Sequence, residues 1–156
     1  MKLHLQWKTL LLSILIPLAV GGVSALITKN GMELFQNVSK PPLSPPNWLF
    51  PVVWTILYIM MGIASYLVYT AADRQDSALP LYGIQLIFNF FWSIFFFNMQ
   101  WYLFSFVWLL LLWLLILLTT MRFFQSTRAA GYLMLPYLFW VTFAGYLNFG
   151  VYLINR

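Results

Sequence analysis

The few charged residues divide the chain at intervals matched to the thickness of a bilayer. Twenty uncharged residues separate Lys8 from Lys29, 32 separate Lys40 from Asp73, 45 separate Asp76 from Arg122, and 27 separate Arg128 from Arg156. A hydrocarbon core about 30 Å thick takes roughly 20 apolar residues per helix, so every interval can cross it. One helix over the 45-residue interval would be about 68 Å long at 1.5 Å per residue, too long for a single crossing. That interval predicts two spans. The expected fold is therefore an all-α integral membrane bundle of five transmembrane helices, with spans near 9–28, 48–71, 79–97, 103–121 and 129–154, and residues 1–156 form one membrane domain.

Composition removes whole classes of function. Charged residues make up 7% of the chain and hydrophobic ones 63%, whereas a soluble domain carries roughly 25% charge. The first apolar stretch is a full span with no small-x-small site leading into a soluble body, so it reads as a retained helix rather than a signal peptide. With no cysteine, disulfides, thiolate metal sites and cysteine nucleophiles are absent. The net charge of +5 sits at helix ends and not in a patch, which fits membrane flanks and not nucleic acid. Lys2, Lys8, Arg74, Arg122 and Arg128 fall on one side, and Lys29, Lys40 and Arg156 on the other. The excess favours a cytoplasmic N-terminus.

The only long connection, Lys29 to Asn47, changes character midway. Met32, Leu34, Phe35 and Val38 alternate with Glu33, Gln36 and Asn37, as in a short helix lying at the interface. Lys40-Pro41-Pro42-Leu43-Ser44-Pro45-Pro46-Asn47 cannot be helical and should be extended and stiff, a lid more than a tether. In the first span the Gly21-xxx-Ala25 pair leaves a smooth strip for a neighbouring helix. The fourth span is almost pure Leu, Trp and Phe and is expected to face lipid or a second subunit.

Polar side chains inside spans are the natural candidates for chemistry, because lipid leaves them costly unless satisfied. Gln85, Asn89 and Ser93 recur every fourth residue and so stack on one helix face. Interhelical hydrogen bonding and a polar strip lining a pocket both fit that ladder, and Asn89 is the most central. Thr142 and Asn148 lie in the fifth span. No Asp, Glu, Lys, Arg or His falls within a predicted span, which argues against proton-coupled pumping, charged ion filters and a metal site. His4 reads as a solvated tail residue, and Glu33 and Lys40 as loop-solvating charges or gating groups. Of eight tryptophans, Trp7, Trp48 and Trp101 sit at span ends as interface anchors, and Trp108 and Trp113 belong to the fourth span. Trp54, Trp92 and Trp140 lie inside spans, where an indole offers a flat apolar face and one N–H donor; packing and a planar aromatic ligand both suit them.

The run Lys40-Pro41-Pro42-Leu43-Ser44-Pro45-Pro46-Asn47-Trp48-Leu49-Phe50-Pro51-Val52-Val53-Trp54-Thr55-Ile56-Leu57-Tyr58, followed by Met61-Gly62, resembles the signature of the tryptophan-rich sensory protein family, also called the translocator protein or peripheral-type benzodiazepine receptor family. Gln85-Leu86 through Asn89-Phe90-Phe91-Trp92-Ser93, and Leu135-Pro136-Tyr137-Leu138-Phe139-Trp140 through Ala144-Gly145-Tyr146-Leu147-Asn148, resemble two further family stretches in the same order. The resemblance implies a five-helix bundle, commonly a homodimer. It also implies binding of tetrapyrroles such as protoporphyrin IX and haem as ligands, with no required cofactor, and of isoquinoline and benzodiazepine-type compounds in vitro. By the same resemblance, Trp54 and Trp140 are the pocket tryptophans linked to light-dependent porphyrin breakdown. Phe35, Pro45, Phe50, Tyr58, Asn89, Trp92, Ser93, Phe96, Ala144 and Leu147 complete the wall under the long loop. Some members carry tyrosine where this chain has Phe35, so a hydroxyl contact is lost there. Leu147, Tyr152 and Arg156 meet a loose cholesterol-type spacing, a pattern too permissive to assign a site.

The resemblance, joined to the membrane reading, implies a tetrapyrrole-binding protein of a bacterial cell membrane that degrades or quenches porphyrin in light. A tetrapyrrole transporter and a stress-sensing regulator acting through a partner are the alternatives. The first lacks a coupling carboxylate and an inverted repeat. The second has only Lys29 to Asn47 as a sizeable contact surface.

Overall fold

The computed structural model describes residues 5–156; Lys2 and His4 lie outside the described residues. The described chain is helical throughout its spans: α1 (Trp7–Ile27), α2 (Lys29–Phe35), α3 (Leu49–Tyr69), α4 (Ala78–Ser93) running into a π-helical segment (Ile94–Asn98), α5 (Tyr102–Ser126) and α6 (Arg128–Asn155). Five of these helical stretches are long and apolar enough to cross a membrane, the third being Ala78–Asn98. They match the predicted spans within a few residues except the fourth, which continues to Ser126. The continuation carries Arg122, whose guanidinium Nη1 donates to Gln125 Oε1 at 3.0 Å, so the charge rides on the last turns of the helix instead of ending it.

Around the bundle the order is α1, α3, α6, α5, α4, with α4 returning to α1. Every buried backbone group in such spans must be satisfied within the helix, so what distinguishes the helices is their packing. α1 meets α3 backbone to backbone where Gly62 lies on Ser13 and Ile14: a Cβ there would stand 2.5 Å from Ile14 Cα. One turn along the same crossing, Gly21 lies against the ring of Tyr58. The buried stripe of α1 runs through Pro17 and Ser24, while Ala25 is exposed. The close approach therefore uses Gly21 but not the expected Ala25.

The expectation for the fourth span needs correction. α5 packs between α4 and α6 and buries Ser105, Leu109, Leu112, Ile116, Thr119, Thr120 and Phe123. Only its other face, with Leu103, Phe104, Val107, Leu111, Leu114 and Leu118, is exposed. Its threonines are silent in the sequence because each spends its hydroxyl locally: Thr119 donates to Leu115 O and Thr120 to Ile116 O, both at 2.7 Å. Trp108 and Trp113 are likewise joints between helices. Trp108 stacks on Phe88 at 4.3 Å and donates its Nε1–H to Phe88 O at 2.8 Å. Trp113 donates to Thr142 Oγ1 at 2.8 Å.

Residues 36–48 contain no helix, as the prolines require. The stretch from Ser39 to Pro42 is a strap fastened to α6. Tyr146 OH donates to Pro42 O and Asn155 Nδ2 to Ser39 O, each at 2.8 Å, and the buried Pro41 fills the space over Gly150. Lys40 does not reach inward. Its ammonium donates to Gln36 O and Val38 O at 3.2 Å and lies 4.7 Å over the Phe35 ring. Leu43, 82% exposed with φ of 69°, turns the chain away at the strap's end.

Candidate functional site

The middle of α4 supplies the polar part of the site. Asn89 and Gln85 are one turn apart and essentially without exposed surface. Tyr58 of α3 donates its hydroxyl proton to Asn89 Oδ1 at 3.2 Å, Asn89 Nδ2 donates to the Tyr137 oxygen of α6 at 2.8 Å, and Tyr137 OH donates to Gln85 Oε1 at 2.6 Å. Three helices are thus joined by one buried chain of hydrogen bonds. Ser93, half-buried at the end of α4, stands outside that chain. The ladder is mainly an interhelical joint whose central member, Asn89, sits beside the aromatic cluster of α3 and α6.

That cluster holds both predicted tryptophans. The Trp54 ring stacks on Tyr58 with centroids 5.5 Å apart and meets Trp140 edge to face at 6.4 Å and Tyr137 at 6.1 Å. Phe50 closes on Trp140 at 5.8 Å. Such offset and edge-to-face contacts are the favoured aromatic geometries. The Trp140 Nε1–H is buried and has no hydrogen-bond partner among the described residues. Trp140 is also part of the wall of an outward-facing groove of about 510 Å³ between α3 and α6, with Val53, Met60, Pro136 and Phe143.

A second group gathers the other expected wall residues. Trp92 stacks on Phe96 at 5.1 Å, and Phe35 of α2 packs on Phe96 at 5.2 Å. Trp92 Nε1 donates to Asn148 Oδ1 at 3.0 Å, and Asn148 Nδ2 donates to Tyr102 O at 2.8 Å. Phe35 thus meets an aromatic surface, and a hydroxyl is not needed to hold it. Ala144 and Leu147 are buried on the inner face of α6, and Pro45 is half-buried in the loop above. The aromatic residues named from sequence thus form two ring clusters, each filled by its own side chains, and Asn89 is tied to the first through Tyr58 and Tyr137. Tyr137, fully buried and bonded at both sides, was missed as a site residue; its signal was an aromatic with a polar tip in a span that also needs a partner for Asn89.

The TspO/MBR family model matches residues 13–153, nearly the whole chain. The chain belongs to this family. It is 42% identical over 154 residues to the "Tryptophan-rich protein TspO" of Chlorobaculum tepidum, covering 96% of this chain and 98% of that protein. It is 37% identical to the "Tryptophan-rich sensory protein" of Cereibacter sphaeroides, with 79% and 77% covered, and 32% identical to the "Translocator protein" of Bos taurus, with 91% and 87% covered. Five apolar helices and the family together make the chain an integral membrane protein. Within this TspO/MBR chain the loosely patterned Leu147, Tyr152 and Arg156 do not share one surface, since Leu147 is buried and Arg156 exposed.

Proposed function

We propose that this chain binds tetrapyrroles such as protoporphyrin IX and haem within the membrane, beneath the strap and against Trp54 and Trp140, and promotes porphyrin breakdown or quenching in light. The observation that carries this reading is the meeting of two indoles with Tyr58 beside a buried hydrogen-bonded asparagine. Aromatic faces suit a large planar ring, and the unpartnered Trp140 Nε1 supplies a donor that a ligand's polar group would satisfy. The rings are in mutual contact, so a ligand enters by separating them. An excited porphyrin passes energy to oxygen or exchanges an electron with a neighbouring indole, and either route places reactive chemistry at Trp54 and Trp140. No Asp, Glu, His, Lys or Arg lies in the stretches 48–71 and 129–154 that carry them, which leaves only tyrosine hydroxyls and no carboxylate or imidazole to support hydrolysis. Isoquinoline and benzodiazepine-type compounds fit the same aromatic walls in vitro. Assembly as a homodimer, a bacterial cell membrane location and a cytoplasmic N-terminus complete the proposal.

The test is a titration with protoporphyrin IX in lipid nanodiscs, read by tryptophan quenching, for the native chain and for Asn89→Ala. Saturation at micromolar ligand with weaker binding by the variant supports the reading, and failure to saturate refutes it. Light-driven loss of porphyrin fluorescence should slow in Trp54→Phe and Trp140→Phe. Equal rates in all three proteins would remove the tryptophans from the chemistry.

A further inference from the structure

The buried run of hydrogen bonds stops at Gln85 with one group left over. Tyr137 engages one end of the Gln85 carboxamide, and the other end, Nε2, is buried with no hydrogen-bond partner among the described residues. Turning the amide end for end exchanges the two atoms and still leaves one of them over. Three residues earlier on α4, the Tyr82 hydroxyl is also buried without a partner among the described residues. Positions i and i+3 lie on one helix face, and their Cα atoms are separated by only about 4.5 Å along the axis. The Tyr82 ring packs on Phe123 of α5, and its hydroxyl stands beside Ser65 of α3 without closing a hydrogen bond. Ser65 is buried as well. It donates its own proton to Gly62 O at 2.9 Å, which leaves the lone pairs of Oγ free to accept.

A buried donor left unpaired has given up its bonds to water and gained none in return. Where no side chain reaches such groups, protein interiors satisfy them with ordered water. We propose that Tyr82, Gln85 and Ser65 hold one buried water molecule, which carries the hydrogen-bond chain of Asn89 and Tyr137 across to α3. The occupant has to be neutral, because no Asp, Glu, His, Lys or Arg lies in Leu49–Tyr69 or Ala78–Asn98, the two spans that supply these groups, to offset a charge. It has to be small, because the atoms that face it are closed off from the outside. It also has to donate and accept: Tyr82 gives a proton, Ser65 takes one, and the left-over end of Gln85 does either. Water meets all three demands, and three partners is the usual number for a buried one. The site does not depend on which ligand the aromatic cluster beyond Tyr137 takes.

The test begins with the native chain, crystallised from lipid and solved finely enough to show ordered water. The expected result is a single oxygen within hydrogen-bond distance of Tyr82 Oη, Ser65 Oγ and the free end of the Gln85 amide. A direct bond from Tyr82 to Ser65 or Gln85 would overturn the proposal, as would a water that misses any of the three, or none at all. Thermal unfolding in lipid gives a second reading through its sign. Tyr82→Phe removes only the hydroxyl, and if water holds that group the midpoint should fall by about 2–4 °C, the shift for one net hydrogen bond in a chain of this length. If the hydroxyl is stranded, phenylalanine removes an unpaired polar group and the midpoint rises, which would overturn the proposal, as would no change. Ser65→Ala should lower the midpoint less in the Tyr82→Phe background than in the native chain, because both act through one water. Full additivity of the two shifts would show that they share none.

Discussion

Replacing Gly150 by alanine should open the strap. The new Cβ would lie 2.6 Å from Cγ and 2.7 Å from Cβ of Pro41, whereas unbonded carbons settle about 3.5–4.0 Å apart. Pro41 is a rigid ring, so it must retreat by about 1 Å, taking its neighbours with it. The bonds at Ser39 O and Pro42 O, now 2.8 Å, would stretch to about 3.8 Å, beyond hydrogen-bond range. At about 1 kcal/mol each, their loss comes to about 2 kcal/mol, or roughly a 30-fold rise in the released strap. Because the chain has no cysteine, a dye on Leu43→Cys reports the strap alone, and its anisotropy should fall in Gly150→Ala. Stopped-flow quenching by protoporphyrin IX should give an association rate at least tenfold faster if the strap covers the entry. Tyr146→Phe and Asn155→Ala, each removing one bond, should give smaller changes in the same direction. Unchanged dye mobility in Gly150→Ala would refute the clasp. Faster dye motion with an unchanged association rate would show that ligand does not enter beneath it.

Asn148→Leu strands Trp92 Nε1 and removes one of the two side-chain bonds to Tyr102 O, which keeps its bond from Ser105 Oγ, and should cost about 1–3 kcal/mol of stability in thermal unfolding monitored by circular dichroism; Trp92→Phe, which leaves the Asn148–Tyr102 bond in place, should cost less. Gly62→Val would drive a side chain into the Ile14 backbone and part α1 from α3, lowering stability by about 2–3 kcal/mol in the same assay. Trp108→Phe loses its bond to Phe88 O but can retain the ring stack. It should lose no more than about 1.5 kcal/mol and leave the porphyrin titration unchanged, which separates the α4–α5 joint from the ligand site.

The spans were legible because Lys8, Lys29, Lys40, Asp73, Asp76, Arg122 and Arg128 mark where the chain must meet water, and a bilayer enforces that rule almost without regard to packing. Asn89 was legible for the related reason that an amide at mid-span demands a partner. Its partner was not, because whether Tyr58, Tyr137 or another hydroxyl reaches it depends on the rotation and depth of three helices relative to one another. The same holds for the strap. Pro41 announces a stiff loop, but only the meeting with Gly150, more than a hundred residues later, fixes where it lies. The misreading of α5 has a different origin. Leucine suits lipid and helix neighbours equally well, so a leucine-rich span carries little information about which face is inside, and Thr119 and Thr120 hide theirs by bonding to their own helix.

The π segment Ile94–Asn98 sends three successive phenylalanines to two addresses. Phe95 joins Trp101, Phe104 and Trp108, whereas Phe96 and Phe97 both pack against Phe35 and Trp92, with Phe96 also on Tyr102. The wider turn accommodates one residue more than an α-helix would, and all that follows is phased to that surplus. Excising a single residue here could restore ordinary helix while turning the downstream side chains by about 100°. Asn98, whose side chain donates to Ile27 O at 3.1 Å, would then swing away from the end of α1. The segment acts as a spacer between two registers: it lets one helix serve the polar chain at Asn89 and still arrive in phase with α2, so this stretch should tolerate substitution far better than a change in length.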